Sequence, residues 1–184
     1  MTGLLRYCWI AMEFFDPAAR CYLICLENPT DCSLRVGSLG KIFWPAGWTY
    51  YAGRASRGWP TRIKRFTKAG DITNFWHVDY LVSRAETRLA GLLLVDWPGT
   101  GECRLSAVLS RVSSVEPLAP GFGASDCSAG CPAHAWTGRI NPAALRVRLL
   151  EKAVPLVGRL EFLEDRCCFS RPRLFVEPGS PSKN

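Results

Sequence analysis

Apolar and polar positions along this 184-residue chain fall into short blocks that name its elements. Cys21 to Glu27 is a near-continuous apolar run closed by Asn28-Pro29-Thr30-Asp31, and reads as a strand followed by a turn. Ser33 to Val36, Lys41 to Trp44 and Trp48 to Ala52 are further β-prone runs, separated by Gly37 to Gly40 and by Pro45-Ala46-Gly47. Their short connections predict an antiparallel meander. Thr61 to Lys68 reads as a basic helix with Pro60 at its first turn. Asn74 to Ser83 reads as a second helix, with Trp76, Tyr80 and Leu81 on one side. Leu89 to Trp97 is apolar up to Pro98-Gly99, hence a buried strand. Glu102 to Val112 has helical spacing, with Leu105, Val108 and Leu109 facing inward.

A Pro- and Gly-rich loop then runs from Pro117 to Pro132. Asn141 and Pro142 make an N-cap and first-turn pair for a helix through about Ala153. The expected organisation is an extension over residues 1–19, a folded unit over 20–138, a basic helix-and-strand extension over 139–177 and a disordered tail over 178–184.

Composition changes this picture little: 48% hydrophobic and 21% charged residues exclude wholesale disorder. Charge changes it more, because a formal net charge of +7 favours a polyanionic partner. Nine cysteines, an odd number in a chain long enough for its own core, argue against a disulfide scaffold and for a reducing compartment. Tyr7 to Phe15 is apolar but contains Glu13 and lacks a small-residue cleavage site. No run reaches the roughly 18 apolar residues of a membrane span. A cytoplasmic protein without a membrane partner is expected.

The candidate chemistry centres on Trp48 to Phe66, an aromatic strand that breaks at Gly53 and feeds a basic helix. Side chains alternate along a strand, so only one of Tyr50 and Tyr51 can face a given site. Arg54, Arg57, Arg62, Lys64, Arg65 and Lys68 gather nearby. They would serve as phosphate contacts, or equally as a solvated helix face. A hairpin with packed tyrosines accounts for the strand without any chemistry.

Three further segments follow in order: Trp76 to Leu81 (W-H-V-D-Y-L), Gly101 to Leu105 (G-E-C-R-L) and Gly121 to Cys127 (G-F-G-A-S-D-C). With the tyrosine segment, they resemble a branch of the GIY-YIG nuclease superfamily found alone or joined to an endonuclease III-type repair glycosylase. The resemblance spans about residues 20–138. It implies an α/β (α+β) fold in which helices flank a small central antiparallel sheet of about three strands. It also implies hydrolysis of a DNA phosphodiester with one divalent cation, Mg2+ or Mn2+, and DNA-repair proteins as partners. Carried over by position, Tyr22 matches the tyrosine of the first half-motif, Tyr51 and Gly53 those of the second, Arg62 the arginine of the next helix, and Glu102 the metal-binding glutamate. A hard cation prefers carboxylate oxygen, and a guanidinium can stabilise charge growing on the phosphate. Tyr51 would orient or deprotonate water, although a reference pKa of roughly 10 makes it a weak base unless cations lower it.

The chain departs from this pattern at three places. Arg20-Cys21-Tyr22 stands where G-x-Y is usual, Arg54 replaces a small polar residue, and Phe66 stands where a histidine is usual. These changes bear on turnover more than on fold, and a nucleic-acid-binding module that has lost catalysis is the alternative. His77 is either a phosphate contact or a hydrogen-bonded structural residue beside Asp79. Cys127, Cys131 and His134 form C-x3-C-x2-H, which could hold zinc with Cys103 or His77 as a fourth ligand. Packed thiols in a tight loop are the other account of them. A third function class, a zinc-stabilised interaction domain, follows if the aromatic strand is only core.

Overall fold

A strand with no exposed face needs neighbours at both edges and a layer over each side, and strand β2 (Cys21–Asn28) is such a strand. All of its residues but Glu27 are buried. In the computed structural model, which describes residues 7–13, 21–54, 66, 73–95, 97, 100–152 and 154–164, β2 lies at the centre of an antiparallel sheet. It pairs with β5 (Gly47–Arg54) on one side and β6 (Arg88–Val95) on the other. Its sequence neighbours β3 (Cys32–Val36) and β4 (Gly40–Trp44) form a separate two-stranded hairpin. The meander expected from short connections is therefore corrected. Burial of both faces of β2 outweighs connection length.

The sheet is also larger than about three strands. Its body is β6-β2-β5-β8-β7, with β8 at Ala135–Gly138 and β7 at Val115–Pro117. Beyond β6, β9 (Leu156–Glu164) and β1 (Tyr7–Glu13) extend it to seven strands, all antiparallel. Thus the N-terminal segment, expected as an extension, contributes through Tyr7–Glu13 an edge strand paired with β9.

Each sheet face carries its own core. Tyr22, Ile24, Leu26 and Tyr51 pack on one face with the β3–β4 hairpin and the short helix α1 (Asp79–Val82). On the other face, Leu23, Cys25, Tyr50 and Trp136 pack with Leu105 and Leu109 of α2 (Gly101–Leu109) and Leu145 and Leu149 of α3 (Pro142–Glu151). Asn141 caps α3 by accepting from the Ala144 N–H at 2.9 Å. The helix expected over Asn74–Ser83 shrinks to α1 because the buried Asp79 carboxylate accepts from the N–H groups of Phe75 (2.9 Å) and Trp76 (2.8 Å). That side chain gives the backbone an alternative to helical pairing. The expected basic helix over Thr61–Lys68 lies outside the described residues except for Phe66, which is helical and buried. No helix among the described residues is long and apolar enough to cross a membrane.

Candidate functional site

The register of β2 against β5 sets the site. Tyr22 faces Gly53 and Ile24 faces Tyr51, so both tyrosines lie on one sheet face while Tyr50 points to the other. Tyr50 is tied there by its hydroxyl, which donates to the Ile140 carbonyl. Two glycines admit the two rings. A Cβ on Gly53 would lie 2.4 Å from the Tyr22 ring, and one on Gly123 would lie 2.6 Å from that of Tyr51. Gly123 also has φ of +73°, so the turn itself favours glycine.

Above these rings lies a pocket of about 210 Å3. Tyr22, Tyr51, Gly53, Arg54, Glu102 and His134 line it, together with Phe66 and Trp76. Glu102 enters from the first turn of α2, where Gly101 lets the helix start close against Cys21 and Trp97. Its Oε1 lies 3.7 Å from Nε of the half-exposed Arg54, while its buried Oε2 has no hydrogen-bond partner among the described residues. The thiol of adjacent Cys21 is pushed up to about 12, by burial first and by the charge of Glu102 second. That thiol is inert as a nucleophile.

Asp126, from the Gly121–Cys127 segment, also lines the pocket as a second carboxylate, and only the fold of the loop brings it there. Arg62, Lys64, Arg65 and Lys68 lie outside the described residues. His77 sits behind the loop: its Nδ1 accepts from the Gly123 N–H at 2.9 Å, and its ring is tilted against Phe122. Burial lowers its pKa below the ordinary 6.5, although nearby Asp126 pulls the other way. Neutral His77 thereby holds the turn that abuts Tyr51. The stability this contributes is present above the unfolded value of about 6.5 and is lost as pH falls below it. The melting temperature is expected to drop on acidification through that range, and His77→Gln to blunt the drop; an identical pH profile for the two proteins would exclude the role.

Beside the pocket, Cys103 from α2 meets Cys127, Cys131 and His134 from the loop, with all four ligand atoms within 4.8 Å of one another. Cys103 Sγ is 3.6 Å from Cys127 Sγ and 3.7 Å from His134 Nε2. Of the two fourth partners open from sequence, Cys103 is the one brought into the group. Burial drives Cys103 up to about 12 and Cys131 upward, while backbone N–H groups of Cys131 and Ala129 hold Cys127 down. Without a cation, then, Cys127 gives up its proton more readily than Cys103 or Cys131. His134 is kept neutral by burial. A Cys3His set of this kind can hold a metal, and thiolate sulfur is more typical of zinc than of Mg2+ or Mn2+.

Residues 21–153 match the family model described as a domain of unknown function, DUF123, and the chain belongs to that family. No curated protein and no solved structure matches the chain.

Proposed function

We propose that this DUF123 protein is a GIY-YIG-type endonuclease that hydrolyses DNA phosphodiester bonds with one Mg2+ or Mn2+ ion. The observation that carries the reading is the convergence of Tyr22, Tyr51 and Glu102, remote in sequence, on one pocket that also holds a guanidinium. The donor chemistry fits the ion. Glu102 Oε2 is a buried carboxylate oxygen without a hydrogen-bond partner among the described residues, and Asp126 adds a second hard donor to the lining of the same pocket. When bound, a divalent cation supplies Lewis-acid stabilisation of charge on the scissile phosphate. Glu102 would hold it, Tyr22 and Tyr51 would orient the attacking water, and Arg54 would neutralise phosphate oxygens, joined by Arg62, which lies outside the described residues. A net charge of +7 draws the polyanion to the surface. Free thiols at Cys21, Cys25, Cys32, Cys103, Cys127 and Cys131 fit a reducing, cytoplasmic setting.

One feature favours a second reading. Phe66 lines the pocket and is buried, and a phenyl ring cannot transfer a proton. A binding module without turnover would tolerate it. Incubating the full chain with duplex, branched, damaged and single-stranded DNA, with and without Mg2+ or Mn2+, separates the two. Divalent-dependent cleavage is the expected result. Salt-sensitive binding with every substrate left intact would replace the endonuclease by the binding module.

A further inference from the structure

The segment from Pro120 to His134 makes no regular secondary structure, yet it carries both Gly123 and Asp126 into the pocket. A structureless stretch of this length needs tethers if it is to hold side chains in place. Some are ordinary hydrogen bonds. Gly121 N–H donates to the Pro132 carbonyl at 2.7 Å, and His134 N–H to the Phe122 carbonyl at 2.8 Å, which closes the loop on itself. Ser106 of α2 donates to the Ala133 carbonyl at 2.6 Å. Cys103 lies one turn before Ser106 on the same helix, so both side chains address the loop from one face.

We propose that Cys103, Cys127, Cys131 and His134 form a tetrahedral zinc site that clamps this loop to α2 and so fixes the pocket wall. In a tetrahedral site with Zn–S near 2.3 Å and Zn–N near 2.0–2.1 Å, the edges come to about 3.8 Å between sulfurs and about 3.5 Å between sulfur and nitrogen. The observed 3.6 Å and 3.7 Å come within about 0.2 Å of those two edges, and all four ligand atoms lie within 4.8 Å of one another. Three thiolates and one imidazole form a closed structural set, leaving no position for substrate. The backbone N–H groups of Ala129 and Cys131 face the Cys127 sulfur, the outer-shell support that metal thiolates receive. His134 extends the clamp into the sheet, because its carbonyl accepts from the Ala52 N–H of β5 at 2.8 Å. The ion therefore positions Gly123 against Tyr51 without contacting a reacting phosphate. This inference rests on the loop and helix geometry, and holds whether or not the pocket cleaves DNA.

The test uses the full chain, purified under reducing conditions without chelator. One equivalent of zinc per chain is expected. Replacement by Co2+ is expected to give the intense visible bands of a tetrahedral ion and a sulfur-to-cobalt charge-transfer band. Cys131→Ser is expected to weaken zinc binding at least tenfold, and removing zinc by chelation to open residues 120–134 to protease. Should Cys131→Ser fail to fold, the cobalt spectrum of the wild-type chain decides alone. A six-coordinate cobalt spectrum, no uptake of zinc by the reduced protein, or the same spectrum from a folded Cys103→Ser/Cys131→Ser protein would overturn the site. Unchanged protease resistance of the zinc-free chain would overturn the clamp.

Discussion

Glu102→Gln is expected to lower Mg2+-dependent DNA cleavage by about three orders of magnitude while leaving DNA binding in place. The substitution keeps volume and shape but removes the charge that a hard cation requires. The scale follows from the loss of one principal source of transition-state charge stabilisation, which in enzymes costs about 10²–10³ in kcat or somewhat more. Binding should survive because it rests on basic residues, Arg54 at the pocket among them, and not on Glu102. Stability supplies an independent readout. Glu102 Oε2 is buried with no hydrogen-bond partner among the described residues, and the contact of Oε1 with half-exposed Arg54 is long at 3.7 Å. A surface-linked pair of that geometry contributes little. The neutral amide should thus leave the urea midpoint unchanged or raise it, as expected where a group is kept for function rather than fold. Single-turnover cleavage of a labelled DNA and urea denaturation of the same preparations check both halves. Cleavage equal to wild type would remove Glu102 from the cation site, and a lowered midpoint would recast it as a structural residue.

How far the sequence could be read depended on how local each determinant is. Strand β2 was legible because a continuous apolar run can only be a strand or helix buried on all sides, and Asn28-Pro29 ends it. α3 was legible from Asn141-Pro142, a cap whose geometry is complete within four residues. Neither β7 nor β8 was legible: three and four residues give no period to detect, and Val115–Pro117 is recruited only because Trp136 and Thr137 lie alongside. Pairing of β1 with β9 joins Tyr7 to Glu164 across almost the whole chain, a contact that no local pattern encodes. The apolar spacing around Trp76 and Leu81 favours a longer helix than α1, and gives no sign that the Asp79 carboxylate will take two backbone N–H groups. In the candidate site, the alternation of Tyr50 and Tyr51 followed from strand geometry alone. The meeting of Cys103 with Cys127 and His134 did not. It needs α2 to present its first turn to a loop about 25 residues later, which is set by tertiary packing.

The close approach of Tyr22 to Gly53 supports the last prediction. In a strand interior, Gly→Ala ordinarily stabilises by about 0.5–1 kcal/mol, since alanine loses less backbone freedom on folding. At Gly53 the sign should reverse. An added Cβ would stand 2.4 Å from Tyr22 Cζ and 2.5 Å from Tyr22 Cε2 and Oη, well inside contact distance. The obstructing group is the body of an aromatic ring that is itself 2% exposed and packed among Ile24, Tyr51 and Leu94, so it cannot swing into solvent without vacating core. Overpacking of this kind costs about 1–3 kcal/mol. Gly53→Ala should therefore lower stability by that amount, and cleavage should fall further, because the displaced ring has the pocket as its exit. Tyr22→Leu removes the clash at the cost of its own cavity. In the double variant the two losses should fall short of their sum by roughly 0.5–3 kcal/mol, the coupling expected of residues in contact. A double-mutant cycle by urea denaturation measures that term. Strict additivity, or a Gly53→Ala protein as stable as wild type, would mean that Tyr22 is free to leave the face it shares with Tyr51, and that this ring is not held at the pocket by the sheet beneath it.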